Sequence, residues 1–500
     1  MSTIDILVPA NDVRRIHLLV ADRLAEKGHD IVLAGVETPD EPRMLSNILR
    51  AERRTLRIRG NDLFDVVSTV GLSSSRAEAA LRIDLTASGR SFASPTLEPR
   101  FNGCASVASA AKALMQGCLP RIDIVLNDDE AIGHAAPMVD SRLSLVRGLD
   151  DVLARMLTLL VDAADRYLRS GAPAETPYKR VTRSPQPTAG QLLNAYMFSM
   201  MPRQLAGAAQ RALFNIHRWD TYYRFHKGVQ VGSTGSLTGE PWAILPDGGN
   251  RFYADPFPFD WNGRHFIFVE DFADGDTKAV ISVAEVFPDG RASVPRTVVE
   301  EPHHLSYPQV FSRDGEIWML PESAAGGGLV LYRAASFPDG WVRHAVLIPD
   351  RALFDATLLE HEGRLWLFAS ERDTYGSAAD TLVVYYADRL DGEWTPHRSN
   401  PLQIDRAAAR PGGSFIGVGN RLVLPLQDGT QEYGAGLGLA DLLELNEERV
   451  RLAAPVPIPS RDKAISRIHT LNSSEHLEVI DCKVPRFRWS LKSPRRLASQ

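Results

Sequence analysis

The chain has 500 residues, 44% of them hydrophobic and 24% charged, which is ample material for folded cores and excludes a disordered or fibrous protein. Its 56 Lys+Arg against 62 Asp+Glu leave a net charge of −6, so nothing in the balance favours a polyanion, and nucleic acid is not expected as a partner. At roughly 100 to 200 residues per domain, two or three domains are expected.

The opening MSTIDILVPAND has neither the basic nor the apolar region of a leader, and no run of about 18 apolar residues follows, so no integral membrane segment is expected. Ile4 to Val8 is a short apolar run. In RRIHLLVADRLAEKGH, Ile16, Leu19, Val20 and Leu24 recur at helical spacing, Gly28 ends the helix, and Asp30 to Val36 supplies a second buried strand. This β-α-β opening is the unit that builds a parallel sheet. Strands are predicted at Leu81 to Thr86 and Arg121 to Asn127, and a long amphipathic helix from about Ser141 to Arg169 closes a Rossmann-like α/β domain over residues 1–170. Cys104, Cys118 and Cys482 show no CxxC spacing and make no disulfide framework, which fits a reducing, cytoplasmic setting.

Residues 171–190 are rich in Pro, Ser, Thr and Ala and read as an exposed linker. From Gln191 to about Lys227 the pattern is helical, with many Met, Phe, Tyr and Trp residues, so a linker and helical bridge is expected over 171–228. Membrane contact is the weaker alternative for this bridge, because its polar face is not strongly basic.

After about Val229 helical periodicity gives way to an internal repeat. The segments YADPFPFDWNGRHFIFVED, SYPQVFSRDGEIWMLPES, FDATLLEHEGRLWLFASE, RPGGSFIGVGNRLVLPLQD and IHTLNSSEHLEVIDC can be stacked. Aligned on Gly263, Gly315, Gly363 and Gly419, they recur at about 50 to 60 residues, each a strand, a tight turn and a second apolar strand. Further strands follow in AVISVAEV, LVLYRAA and TLVVYYA. Four strands per unit at this period predict an all-β, five-bladed β-propeller over residues 229–487, with a basic tail over 488–500.

The innermost strands of a propeller line its channel, so equivalent repeat positions converge. The first-strand position offers Asp255, Tyr307, Asp355, Arg410 with Pro411, and His469. The end of the second strand offers Glu270, Asp271, Glu322, Glu371, Gln427, Asp428 and Asp481. Asp255, Glu322 and Asp355 are the acid and base candidates, since like charges in one cleft push one pKa upward and keep that group protonated. Substrate contacts are expected from Arg251, Tyr307, Glu371, Arg410 and His469: arginine clamps anionic groups, and histidine bonds hydroxyls or a metal. The alternative is that these side chains cap turns or bond strand backbones between blades. Most of Trp261, Trp318, Trp341, Trp366 and Trp394 are expected to pack between blades, with a stacking surface for a sugar ring as the alternative. Asp271, Asp274 and Asp276 lack the ligand spacing of an EF-hand, so no metal site is expected there. With no P-loop, GxSxG or HExxH motif, the residues name no cofactor.

By RFYADPFPF, HLSYPQVF with MLPES, FDATLLEH, RPGGSF and IHTLN, the stretch from about Arg251 to Asp481 resembles the N-terminal propeller domain of plant glucosamine inositolphosphorylceramide transferases. More remotely it is similar to the five-bladed propellers of glycoside hydrolase families 43 and 32, in which a blade-one Asp followed by Pro is the base or nucleophile. Asp255-Pro256 matches that element, whereas Tyr307 stands at the place of the second-blade Asp. The first 170 residues resemble a formyltransferase-type domain through RIDLTASG and LEPRFNG; Asn102, His134 and Asp140 are the loose counterparts of its Asn, His and Asp. The resemblance implies a carbohydrate-active protein of glycan or glycolipid biosynthesis acting on a sugar or glycolipid substrate. The alternative is a non-catalytic glycan-binding propeller serving an N-terminal formyl/acyl or glycosyl transferase domain, or a partner glycosyltransferase.

Overall fold

A computed structural model describes residues 2–38, 43–67, 71–76, 78–89, 92–127, 130–170, 181–215, 218–459, 465, 467–484 and 486–487. The predicted basic tail and the first half of the predicted linker lie outside the described residues. The chain divides into two compact units, one of Met1–Ala208 with Thr374–Ser377, the other of Ala209–Asp373 with Ala378–Gln500.

In the first unit the strands are β1 (Thr3–Pro9), β2 (Asp30–Val36), β3 (Leu81–Asp84), β4 (Thr96–Phe101), β5 (Ile122–Leu126) and β6 (Glu130–Ala136). The helices are α1 (Arg15–Glu26), α2 (Arg43–Leu56), α3 (Val107–Met115) and α4 (Leu145–Ser170). The sheet order is β6-β5-β4-β3-β1-β2. β2, β1, β3 and β4 pair in parallel, as the β-α-β opening requires. The expectation of a parallel sheet is corrected beyond β4: β4, β5 and β6 pair antiparallel, and the short β5–β6 connection cannot make the crossover that parallel pairing needs. Ile16, Val20 and Leu24 of α1 are buried, as their spacing predicts. Glu52 of α2 accepts the free amides of Leu145 and Val146 at the start of α4. In the stretch expected to be helical, helices run over Ala189–Ala195, Tyr196–Met200 and Met201–Leu213. Among the described residues no helix is long and apolar enough to cross a membrane.

The second unit is a propeller-like arrangement of antiparallel sheets. The first sheet holds Arg251–Trp261, Arg264–Ala273, Val280–Val286 and Arg296–Val299, and the second holds Ser306–Arg313, Glu316–Glu322, Gly328–Ser336 and Gly340–Pro349. The third set is Leu353–His361, Arg364–Glu371, Thr381–Ala387 and Gln403–Asp405. The fourth is built on Ile416–Val418, Arg421–Gln427, Leu437–Leu445 and Val450–Leu452. The fifth is Ile468–Ser473, Leu477–Lys483, Trp219–Phe225 and Ala243–Ile244.

The helical reading of residues 191–227 is therefore corrected at its C-terminal end: Trp219–Phe225 is a buried strand that pairs with Leu477–Lys483. The hairpins Asn262-Gly263, Asp314-Gly315 and Glu362-Gly363 have positive φ at both turn residues, the type I′ geometry that matches strand twist. Apolar clusters join each sheet to the next, first to second, second to third, third to fourth, fourth to fifth, and fifth back to first. Trp261, Trp318, Trp341, Trp366 and Trp394 all lie in or against these clusters, as expected.

Candidate functional site: a buried carboxyl cluster

One backbone device, repeated sheet by sheet, aims side chains into the centre of the second unit. The register of the first hairpin breaks between Ala254 and Phe257, between Ser306 and Gln309, between Phe354 and Thr357, and between Ile468 and Leu471. Asp255, Tyr307, Asp355 and His469 sit within these bulges, and the first three have φ of 48°, 47° and 49°. A non-glycine residue in this left-handed region costs on the order of 1–3 kcal/mol, strain that recurs here at equivalent positions. The RPGGSF segment takes the corresponding place in the fourth repeat, where a Cβ on Gly413 would collide with the Leu471 carbonyl.

The bulges bring one cluster together. Asp355 is fully buried and accepts from Arg410 Nε at 2.6 Å and Nη2 at 3.1 Å, and from the Gln427 amide. The same guanidinium lies 3.7 Å from Glu322 and over the Tyr433 ring at 5.1 Å. His469 Nδ1 stands 3.2 Å from Asp255 and 3.3 Å from Asp481, its Nε2 is 2.9 Å from the Tyr433 hydroxyl, and its ring is 4.6 Å from that of Trp219. Asp481 also accepts from the amides of Asp255 and Thr470 and from the Thr470 hydroxyl. Tyr307 bonds Thr357 at 2.8 Å and takes the Gly413 amide at 2.7 Å.

Charge in this cluster is unbalanced. Asp255, Glu270, Glu322, Asp355 and Asp481 interact with one another, while among the described residues the main cations facing them are Arg410 and His469. Burial, then Asp355, pushes Glu322 well above its ordinary pKa of 4.5. Burial, then Asp255 and Glu322, does the same to Glu270. Burial also raises Asp255, against the pull of His469. His469 itself is held well above 6.5, because Tyr433, Asp481 and Asp255 outweigh the burial of its charge. Burial would raise Asp481 too, but His469 holds it below 3.8. His304, 3.4 Å from Glu270, is held down by burial and by His303 and adds no compensating charge. Carboxyls with raised and with lowered pKa thus stand side by side.

Of the residues expected here, Asp255, Glu322, Asp355, Tyr307, Arg410 and His469 converge. Arg251 and Glu371 do not: Arg251 pairs with Asp271 at 2.7 Å and Glu371 with Arg351 at 2.9 Å. The correction for Glu371 is one of register. Glu270 pairs across from Ala254 and Glu322 from Ser306, but the matching partner of Phe354 is Ser370, so Glu371 lies one residue out of phase. Tyr433, on an irregular segment, carries no repeat signal and is found only in the fold. In the first unit Asn102 Oδ1 takes the Arg121 amide and His134 Nε2 faces the Arg121 guanidinium at 3.0 Å, whereas Asp140 bonds Ser377. Asp255, His469 and Asp481 place ligand-type atoms within 4.8 Å of one another, although the raised pKa of His469 opposes the neutral imidazole that a metal needs.

A propeller-like set of sheets whose inner hairpins gather acids around one arginine and one histidine is the class of structure defined here. Residues 246–482 match the family model described as "Glucosamine inositolphosphorylceramide transferase 1, N-terminal". The glucosamine inositolphosphorylceramide transferase 1 of Arabidopsis thaliana is 32% identical over 206 residues, which cover 40% of this chain and 27% of the relative. That of Oryza sativa subsp. japonica is 33% identical over 215 residues, 42% of this chain and 29% of the relative. The chain thus spans less than a third of the length of these curated relatives. Among solved structures, a thermostable family-43 glycoside hydrolase is 13% identical with a TM-score of 0.33, covering 44% of this chain and 83% of that one. A family 117 glycoside hydrolase from Zobellia galactanivorans is 13% identical with a TM-score of 0.35, covering 54% and 92%.

Proposed function

We propose that the second unit is a five-bladed propeller of glycan or glycolipid biosynthesis, which binds a sugar or glycolipid at the carboxyl cluster and works on it by acid and base chemistry. The observation that carries this reading is the excess of converging carboxyls over facing cations, which with burial raises Glu322 and Glu270 well above the ordinary carboxyl range. A protonated acid beside an ionised carboxylate is the equipment for protonating a leaving-group oxygen while a hydroxyl or water is activated. Glu322 and Glu270 are assigned the acid role and Asp255 the base role. Asp355, with both oxygens bonded by Arg410, is assigned to hold that arginine toward an anionic substrate group. The relatives named for transfer to inositolphosphorylceramide support a phosphoinositol-bearing glycolipid as the substrate class.

A second reading, a glycan-binding propeller that presents its ligand to a partner glycosyltransferase, is favoured by the depth of the cluster: Asp255, Asp355 and His469 are 3%, 0% and 2% exposed. The test uses the full chain and its Asp255→Asn and Glu322→Gln variants against a panel of sugar nucleotides, glycosides and inositol phospholipids, with binding measured alongside turnover. Acid and base chemistry predicts binding kept and turnover lost by about 10²-fold or more in each variant. Undiminished turnover in both removes the cluster from catalysis, and binding without turnover in the parent establishes the second reading.

A further inference from the structure

At the hairpin end of the first sheet, away from the carboxyl cluster, Asp260, His265 and His476 converge. Asp260 and His265 face each other across the first hairpin, and His476 lies in the turn that leads into Leu477–Lys483 of the fifth sheet. His265 Nδ1 is 2.6 Å from one Asp260 oxygen and His476 Nδ1 is 3.1 Å from the other. One ligand-type atom of each residue lies within 4.8 Å of the others, and the two imidazole rings are 4.9 Å apart. The surroundings hold the rings in place. Phe225 packs edge-on against His265 at 5.1 Å, the His476 amide donates to Asp260 at 3.1 Å, and the His226 amide donates to the His476 carbonyl at 3.0 Å. Asp260 and His265 are largely covered, whereas the His476 side chain is 51% exposed and leaves a route in from solvent.

We propose that Asp260, His265 and His476 form a binding site for a divalent transition-metal ion of the zinc class, which ties the first sheet of the propeller to the last. Two imidazole nitrogens and one carboxylate are the donor set that borderline ions such as Zn2+ select over Ca2+ or Mg2+. Each imidazole, whose Nδ1–H faces the Asp260 carboxylate without the ion, shifts its proton to Nε2 and gives its Nδ1 lone pair, Asp260 gives a carboxylate oxygen, and water fills the remaining position at about 2 Å. The carboxylate already has two Nδ1 atoms gathered around it, so the donor groups of the ion stand together before it binds. The Asp255, His469 and Asp481 group differs, being fully buried with its histidine held as a cation. An ion at Asp260 acts on stability: it binds only when both sheets are in place, so it favours the closed ring by mass action.

The test uses full-length, untagged protein freed of metal by a chelator and titrated with ZnCl2 in a calorimeter, with Co2+ as a visible-absorption probe. One equivalent of zinc is expected, together with the strong visible bands of four-coordinate cobalt. His476→Ala, in an exposed turn, is expected to weaken zinc binding by at least about tenfold and to abolish the rise in melting temperature that zinc gives the parent. His265→Ala should do the same. Absence of zinc binding by the parent overturns the site and makes the trio a metal-free clasp. Equal affinity in the parent and both variants overturns it as well, by placing the ion elsewhere.

Discussion

Glu322 keeps a proton in the folded chain that it gives up in the unfolded one, and this makes stability a function of pH. Unfolded, it titrates near 4.5; folded, burial and Asp355 carry it well above that value. Between those limits the unfolded state binds fewer protons, so stability falls as pH rises through the interval. Glu270 adds to the same fall. His469 acts in the same direction, since the stabilisation from its raised pKa is complete below 6.5 and is lost as pH climbs through the folded value. Asp481, held below 3.8, contributes the opposite branch, present above 3.8 and lost on acidification. Urea denaturation from about pH 5 to pH 8 is therefore expected to show declining stability, with a shallower decline in Glu322→Gln, which has no proton to lose. An equally steep decline in that variant would contradict the protonation assigned to Glu322. The sequence exposes Asp255 and Asp355 because each is the repeat's first-strand residue, whereas Tyr433 stays hidden because a loop residue has no phase to read.

Trp219–Phe225 shows at the level of elements why part of the fold is illegible locally. It follows the helix Met201–Leu213 closely, and its aromatic residues extend that helix's apolar pattern, yet its partner strand lies far along the chain at Leu477–Lys483. Arg224 reaches Glu478 at 2.6 Å across that separation, and both side chains are buried. The same nonlocality explains Glu371: composition puts an acid near the end of the strand, but only the hairpin register decides which face it points to. The hairpins, in contrast, are legible because Asn-Gly, Asp-Gly and Glu-Gly carry the positive φ values locally. A chain begun at Val229 would lack Trp219–Phe225. It would leave the edge of Leu477–Lys483 unpaired and bury Glu478 without its arginine. That chain is expected to aggregate on size exclusion, while one begun at Arg218 elutes as a folded species with an intact near-ultraviolet dichroism spectrum. Equal behaviour of the two would show that the strand is dispensable to the ring.

Across the whole molecule, the repeat in the sequence and the cyclic run of apolar clusters report the same fact, that each sheet buries its face against the next and the last against the first. The first unit has its own core around β1 to β6 and α4; its β-α-β opening, β3, β5 and α4 were legible from periodicity, whereas the antiparallel pairing of β4 to β6 was not, because periodicity does not set strand direction. All eight tryptophans fall at or after position 219, so indole fluorescence reports the second unit, while the helical far-ultraviolet signal comes mostly from α1 to α4 of the first. This division of probes gives the Arg410–Asp355 pair a specific test. Removing the guanidinium strands a fully buried carboxylate between Gln427 and Glu322, a change that costs about 3–5 kcal/mol in comparable buried pairs. Arg410→Gln is expected to move the fluorescence midpoint in a denaturant titration to markedly lower concentration and the far-ultraviolet midpoint by much less. Coincident shifts of both probes would mean that the loss is transmitted to the first unit, and no shift in fluorescence would mean that Asp355 needs no arginine partner.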